Sequence, residues 1–191
     1  KDAEDEEFLL LRDILTVGSS DGRSLSDCFR IFNGIHRAIQ SRQVLERIVC
    51  ECLDDFFDEN VVYLELRSTP RCLNDGDQKL NKRDYVNVVM DSIQKWKYKR
   101  DETCKMEVRL PLSIDRAGSL EDAMETVQIA DEFRCTSSDH MIVGIDLGGN
   151  PTIGRGEFSN RYKPALLWAR QLGMPVSVHT AEIWDDDELK C

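Results

Sequence analysis

Four stretches of this sequence alternate like β-strands, recurring about 35 residues apart with one amphipathic helix between each pair. They are VVYLELR (61–67), MEVRLPLSI (106–114), MIVGIDL (141–147) and PVSVH (175–179). The segments between them, KRDYVNVVMDSIQKWKYKR, SLEDAMETVQIADEFR and EFSNRYKPALLWARQLG, carry helical spacing. Strand, helix, strand at this interval is the pattern of right-handed βαβ units, so the fold class is α/β with a parallel sheet. Two further helices precede it. LSDCFRIFNGIHRAI places Leu25, Cys28, Phe29, Phe32, Ile35 and Ile39 on one stripe, with Ser24 or Ser26 able to cap it, and QVLERIVCECLDDFFDEN repeats the period from Leu45 to Phe57.

Side-chain parity decides between an open and a closed sheet. An open doubly wound sheet is covered by helices on both faces, so both parities should be apolar. Here one parity is apolar: Val62, Leu64 and Leu66; Val108, Leu110, Leu112 and Ile114; Val143, Ile145 and Leu147; Val176 and Val178. The other holds Glu65, Arg67, Glu107, Arg109, Ser113, Asp115, Gly144, Asp146, Ser177 and His179. With a strand period of two, the polar set faces one side, opposite the helices. That side reads as the lumen of a partial TIM (β/α)8 barrel. For residues deep in the strands the alternative is a structural ion-pair lattice, such as Glu65 with Arg109. Arg67, Asp115, Asp146 and His179 fall instead at carboxyl ends of strands, the rim on which barrel enzymes carry their sites.

Composition narrows the partners. The 191 residues hold 41% hydrophobic side chains, enough for a core, and a formal net charge of -11, which argues against nucleic-acid and membrane-surface binding. The cysteines at 28, 50, 52, 72, 104, 135 and 191 form no CxxC pair, which speaks against disulfides and a thiolate metal site and for a reducing cytosol. No apolar run has the length of a membrane span and no start resembles a signal peptide. The organisation expected is an acidic lead-in over 1–23, holding a short helix at about Glu6 to Leu15 and then a loop, followed by a barrel domain over 24–191. The first residue is Lys, and DDDELKC follows a strand with no helix after it, so a piece of a longer chain is expected.

The last strand runs into VSVHTAEI (176–183). On a continuous strand His179 and Glu182 would point to opposite faces. If the strand ends at His179, a turn through Thr180 and Ala181 brings Glu182 back over the mouth. There a neutral imidazole can bind a metal and a carboxylate beside it can move protons, although an isolated His-x-x-Glu is more often a plain hydrogen-bonded pair.

Taken together, YLELRSTPR (63–71), LSIDR (112–116), GIDLGGNPTIG (144–154) and VSVHTAEI resemble the adenosine deaminase family, most nearly its adenosine deaminase-like branch, the N6-methyl-AMP deaminases. The resemblance runs over about residues 24 to 184 and corresponds to the second through fifth of the barrel's eight strands. It implies zinc-dependent hydrolytic deamination of a purine nucleoside monophosphate, with ammonia or methylamine leaving. It implies His179 as a zinc ligand, Glu182 as the acid/base at the purine ring, and Gly149 as a backbone contact to the purine. Asp146 would orient groups near the metal, and Ser68, Thr69 and Arg71 would contact the nucleotide. Arg116 is a further nucleotide candidate, or a rim salt bridge.

The chain departs from the pattern. The family's His-x-His on its first strand has no counterpart, since His36 lies on a helix stripe and His140 precedes a strand. Later strands with a second catalytic histidine and an aspartate ligand have none either, so one expected metal ligand of four is present. Gly148 stands where Ser or Ala is usual, and Asn150 where Asp is common. This segment alone is therefore expected to be inactive, poorly soluble and unable to hold zinc tightly. The alternatives are a catalytically incomplete isoform or paralogue acting as a binding subunit, or another amidohydrolase-type metal hydrolase on the same barrel.

Overall fold

A computed structural model describes residues 12, 15, 16, 18, 22–100, 105–136 and 140–190. Helices α1 (Leu25–Ala38) and α2 (Arg42–Asp58) come first, then strand β1 (Tyr63–Glu65) and a hairpin of β2 (Leu73–Asp75) and β3 (Gln78–Leu80). Next are α3 (Lys82–Lys99), β4 (Glu107–Asp115), α4 (Leu120–Thr136), β5 (Ile142–Gly148), α5 (Lys163–Gln171) and β6 (Val176–Val178). The short helix expected at about Glu6 to Leu15 lies outside the described residues except at Arg12 and Leu15.

The helices start where the sequence supplies caps. Ser24 accepts from Asp27 N while the Asp27 carboxylate accepts from Ser24 N, and Asn81 and Asp84 repeat this reciprocal box at the start of α3. The region before α5 differs from a plain helix: Phe158–Tyr162 winds as a π-helical turn. Pro164 has no N–H to return to the preceding turn, so the chain enters α5 through a wider one.

Four parallel strands form one sheet in the order β1-β4-β5-β6, a curled half of a (β/α)8 barrel. The apolar parity is buried as expected along β4, where Val108, Leu110, Leu112 and Ile114 join Ile145 and Leu147 in the core. That same core takes Leu45, Val49 and Leu53 from α2 and Val86, Val89 and Ile93 from α3.

Two positions depart from the parity rule. Val62 is 68% exposed, because it lies just before β1 on the outer edge of the sheet and pairs only towards β4. The register of β4 against β5 slips between Leu110 and Pro111: Leu110 faces Ile142 and Pro111 faces Gly144. Val143 is the extra residue of this bulge, and Ile142, 1% exposed, takes the apolar place expected for it.

The loop after β1 also holds more structure than its polar composition suggested. Its hairpin turns at Gly76 and Asp77, Gly76 has φ 61, and Leu73 and Leu80 pair across it and are buried. In place of the Glu65–Arg109 pair that illustrated the ion-pair alternative, Arg109 bonds to Glu107, two residues back on its own strand, while Glu65 accepts from the Tyr63 hydroxyl at 2.8 Å. The five described cysteines, 28, 50, 52, 72 and 135, are free. Among the described residues no helix is long and apolar enough to cross a membrane.

Candidate functional site

The rungs of the ladder bring the polar side chains to one end of the sheet. Ser113 pairs with Asp146 and Asp146 with Ser177; one rung further Asp115 pairs with Gly148, and His179 N donates to Leu147 O at 2.9 Å. Asp146 is only 2% exposed. Its Oδ2 accepts from Ser113 Oγ at 3.1 Å, and its Oδ1 accepts from Arg67 at 3.2 Å.

Arg67 also lies 2.8 Å from His179 Nε2. A guanidinium only donates, so Nε2 is the acceptor and a neutral His179 carries its proton on Nδ1. That Nδ1 faces Glu182 Oε1 at 3.6 Å. The turn that achieves this rests on Ala181, whose φ of 60 reverses the chain immediately after β6. His179 and Glu182 therefore meet on one side, as the interrupted-strand reading requires. His179 Nε2 also stands 3.6 Å from Asp146 Oδ1.

Two clefts open beside this cluster. One, of about 530 Å³, is lined by His179, Glu182, Gly149, Asn150 and, from α1, Phe29 and Phe32 among others. The second, of about 550 Å³, is lined by Ser68, Thr69, Arg71, Lys82 and Tyr85 among others. They share His36, Thr69, Asp115 and Ala117, so they adjoin. Gly149 has φ 94, and a Cβ there would collide with the Asp115 carboxylate, so only glycine fits this wall.

In the second cleft Ser68 Oγ and Tyr85 OH are 3.0 Å apart. The Lys82 charge is matched by Asp122 at 2.5 Å and Glu125 at 3.4 Å. Arg71 differs: its NH2 donates to the neutral carbonyl of Ile39 at 3.4 Å, and its buried Nε has no hydrogen-bond partner. Burial, followed by the nearby Arg71 cation, holds the His36 imidazole below its usual pKa against the opposite pull of Asp115.

Of the residues singled out from sequence, His179, Glu182, Gly149 and Thr69 line the first cleft, and Ser68, Thr69 and Arg71 the second. Asp146 lies beneath, within the Arg67 and His179 contacts. Arg116 takes the second of its two readings: its side chain is 3% exposed and bonded to Glu188 at 2.6 Å, lining neither cleft. Arg67 had a rim position but no role, and its link to His179 spans 112 residues of sequence. His36 had only a helix stripe to mark it, because nothing local says that α1 lies along the clefts.

A metal centre needs more than this cluster gives. Structural and catalytic zinc sites use three or four protein ligands. Among the described residues no group of three or more His, Cys, Asp or Glu is gathered to hold a metal. His179 and Asp146 converge, but the Arg67 guanidinium bonds to both, so these residues do not by themselves fit zinc.

The sequence matches the family model described as Adenosine deaminase over residues 10–188. It is 37% identical to the N6-methyl-AMP deaminase-L of Xenopus laevis, covering 87% of this chain and 45% of that protein. A crystal structure of the Arabidopsis N6-mAMP deaminase MAPDA superposes with a TM-score of 0.81 at 36% identity, covering 96% of this chain and 52% of that one. A structure of Arabidopsis ADAL complexed with IMP gives 0.81 at 34% identity, covering 96% and 51%. The chain thus spans about half the length of the relatives it matches.

Proposed function

The chain belongs to the adenosine deaminase family, and on that premise we propose that its two adjoining clefts are the nucleotide-binding part of a hydrolytic site. The site removes the 6-amino or 6-alkylamino group of a purine nucleoside monophosphate, N6-methyl-AMP or AMP giving IMP. The observation that carries this is the meeting of His179 and Glu182 over a cleft that leads to a guanidinium without an anionic partner, Arg71. A related protein at 34% identity is described as complexed with IMP, which agrees with the reading.

Each of the chain's residues then has a task. The purine lies in the first cleft against the backbone of Gly149, whose missing Cβ makes room for the Asp115 carboxylate that shares the wall. Glu182 holds and returns the proton that the ring nitrogen and the leaving amine need, the work of a carboxylate with access to the reacting edge. Asp146, fixed by Ser113, orients Arg67 and His179 from below. The phosphate falls to Arg71, with Ser68 and Thr69 as hydroxyl donors, since a guanidinium fork matches phosphate oxygens. Zinc is the metal the family implies, and the described residues do not complete its ligand set.

One observation favours a second reading. Arg67 supplies a fixed positive charge between Asp146 and His179, so the segment can bind a nucleotide without turning it over. The tests separate the two. IMP should bind the chain saturably by calorimetry and Arg71→Ala should weaken it about tenfold or more, the value of a charged hydrogen bond; failure of IMP to bind would end both readings. Ammonia or methylamine release from AMP, N6-methyl-AMP and adenosine is then measured. The chain alone should release neither, whereas a protein carrying this segment with a full ligand set should do so and lose its rate on Glu182→Gln. Turnover by the chain alone, with one zinc held tightly, would overturn the division drawn here.

A further inference from the structure

Arg116 joins four segments that are distant in sequence. Its backbone N–H donates to Gly148 O at the end of β5 at 3.0 Å, and its carbonyl accepts from the Tyr162 hydroxyl at 2.7 Å. Its guanidinium donates to the carbonyl of His179 at 2.6 Å and to Glu188 Oε1 at 2.6 Å, and lies 5.6 Å from the centre of the Tyr162 ring. Both side chains of the ion pair are buried, 3% and 5% exposed. A buried pair of this kind is weak evidence for stability, since desolvation offsets much of the attraction. Its geometry says more than its energy.

The contacts bracket the segment that carries Glu182. His179 is held at one end and Glu188 at the other, with the reversed backbone at Ala181 between them. Asp185 reinforces the far end: its carboxylate accepts from Gly156 N at 2.7 Å and from Asp187 N at 2.9 Å. Without a clamp a left-handed alanine relaxes, because the conformation costs about 1–2 kcal/mol. The direction of Glu182 then drifts.

We propose that Arg116 is a positioning residue: its guanidinium ties the His179 carbonyl to Glu188 and so holds the turn on which Glu182 stands over the cleft. This rests on the nucleotide site proposed above. It assigns Arg116 no contact with the nucleotide and makes it act through His179 and Glu182.

The test uses amide hydrogen exchange and the imidazole NMR signals of the chain, which has only three histidines, 36, 140 and 179. In Arg116→Ala the amides of 180–187 should exchange about tenfold faster or more, as expected for losing a charged hydrogen bond, while those of β4 and β5 keep their protection. The His179 ring signals should move and those of His36 and His140 should stay. Arg116→Lys, which keeps the charge, should fall between wild type and Ala, and it remains informative if the Ala variant fails to fold. Unchanged exchange over 180–187, or a loss spread evenly over the sheet, would overturn the proposal. Added IMP separates it from the function reading. If IMP leaves every histidine signal of the wild type in place, the nucleotide site falls, while the exchange result still decides whether Arg116 clamps the turn.

Discussion

Replacing Gly144 with alanine should pull β6 off β5, and with it the residue that β6 carries to the rim. Gly144 sits in β5 opposite Pro111 on one side, and on the other a Cβ would meet the carbonyl oxygen of Pro175 at 2.6 Å. Ordinary contact begins at 3.4 Å, so that carbonyl must retreat by about 0.8 Å. It is also the acceptor for Ile145 N at 3.0 Å, the first bond that holds β6 in register. Overpacking of this kind costs about 1–3 kcal/mol and a lost ladder bond about 1 kcal/mol, against a gain of about 0.4–1 kcal/mol from restricting the unfolded chain. A net loss of about 2 kcal/mol lowers the Tm of a chain this long by about 4–8 °C. Gly76→Ala is the control: it lies in the hairpin with φ 61 and nothing within 4 Å, so it pays only for its backbone. Thermal melts followed by circular dichroism give the ranking, and exchange at the His179 amide shows whether β6 has moved. A Gly144→Ala protein melting within about 1 °C of wild type would refute the close-approach argument, as would a larger loss for Gly76→Ala.

Other outcomes follow from the same contacts. The carboxyls of Asp185 and Asp187 are held below the usual range by backbone N–H donors, from Gly156 and Ser159 first. A depressed carboxylate stabilises above its unfolded pKa of about 3.9 and loses that contribution as pH falls through the folded value. The fluorescence of Trp184, 70% exposed beside this segment, should therefore hold steady down to about pH 4 and change below it; a transition near pH 6 would contradict the assignment. Ala181→Gly relieves a left-handed backbone and should raise stability by up to about 1 kcal/mol in urea unfolding, with destabilisation as the contrary result. Arg67→Ala leaves a buried Asp146 without its cation and should cost about 1–3 kcal/mol by the same assay, whereas no loss would show that the Ser113 bond suffices.

How much of this was written locally can be judged element by element. The four parallel strands and their helices were legible because each rests on a period of two or of 3.6, and the start of α1 because Ser24 carries its cap in a neighbouring residue. The bulge at Val143 was hidden: a strict alternation count carries straight through it, and only pairing with Leu110 and Pro111 reveals the slip. The β2–β3 hairpin could have been found from Gly76-Asp77 between two leucines; its polar residues concealed it. The Arg116–Glu188 pair joins residues 72 apart, and no local pattern decides which anion an arginine will meet. Sequence therefore located the rim, because strand ends are local features, and left open which rim residues touch.

Charge shows why that distinction matters for the nucleotide. A chain with a net charge of -11 repels a phosphate at long range, yet at physiological ionic strength the screening length is about 8 Å, so only nearby groups decide binding. Within the second cleft the cation on Lys82 is already matched by Asp122 and Glu125. Arg71 is held by a single neutral carbonyl and keeps a buried Nε without a partner, an arrangement that costs free energy until an acceptor arrives. The acidic surface still works against polyanions such as nucleic acids, whose length lays many phosphates within a screening length of it, while a single small phosphate meets only the groups that line the cleft. Net charge and local charge thus act on different ligands: the first disfavours an extended polyanion, and the second sets what the proposed nucleotide site asks of a single phosphate.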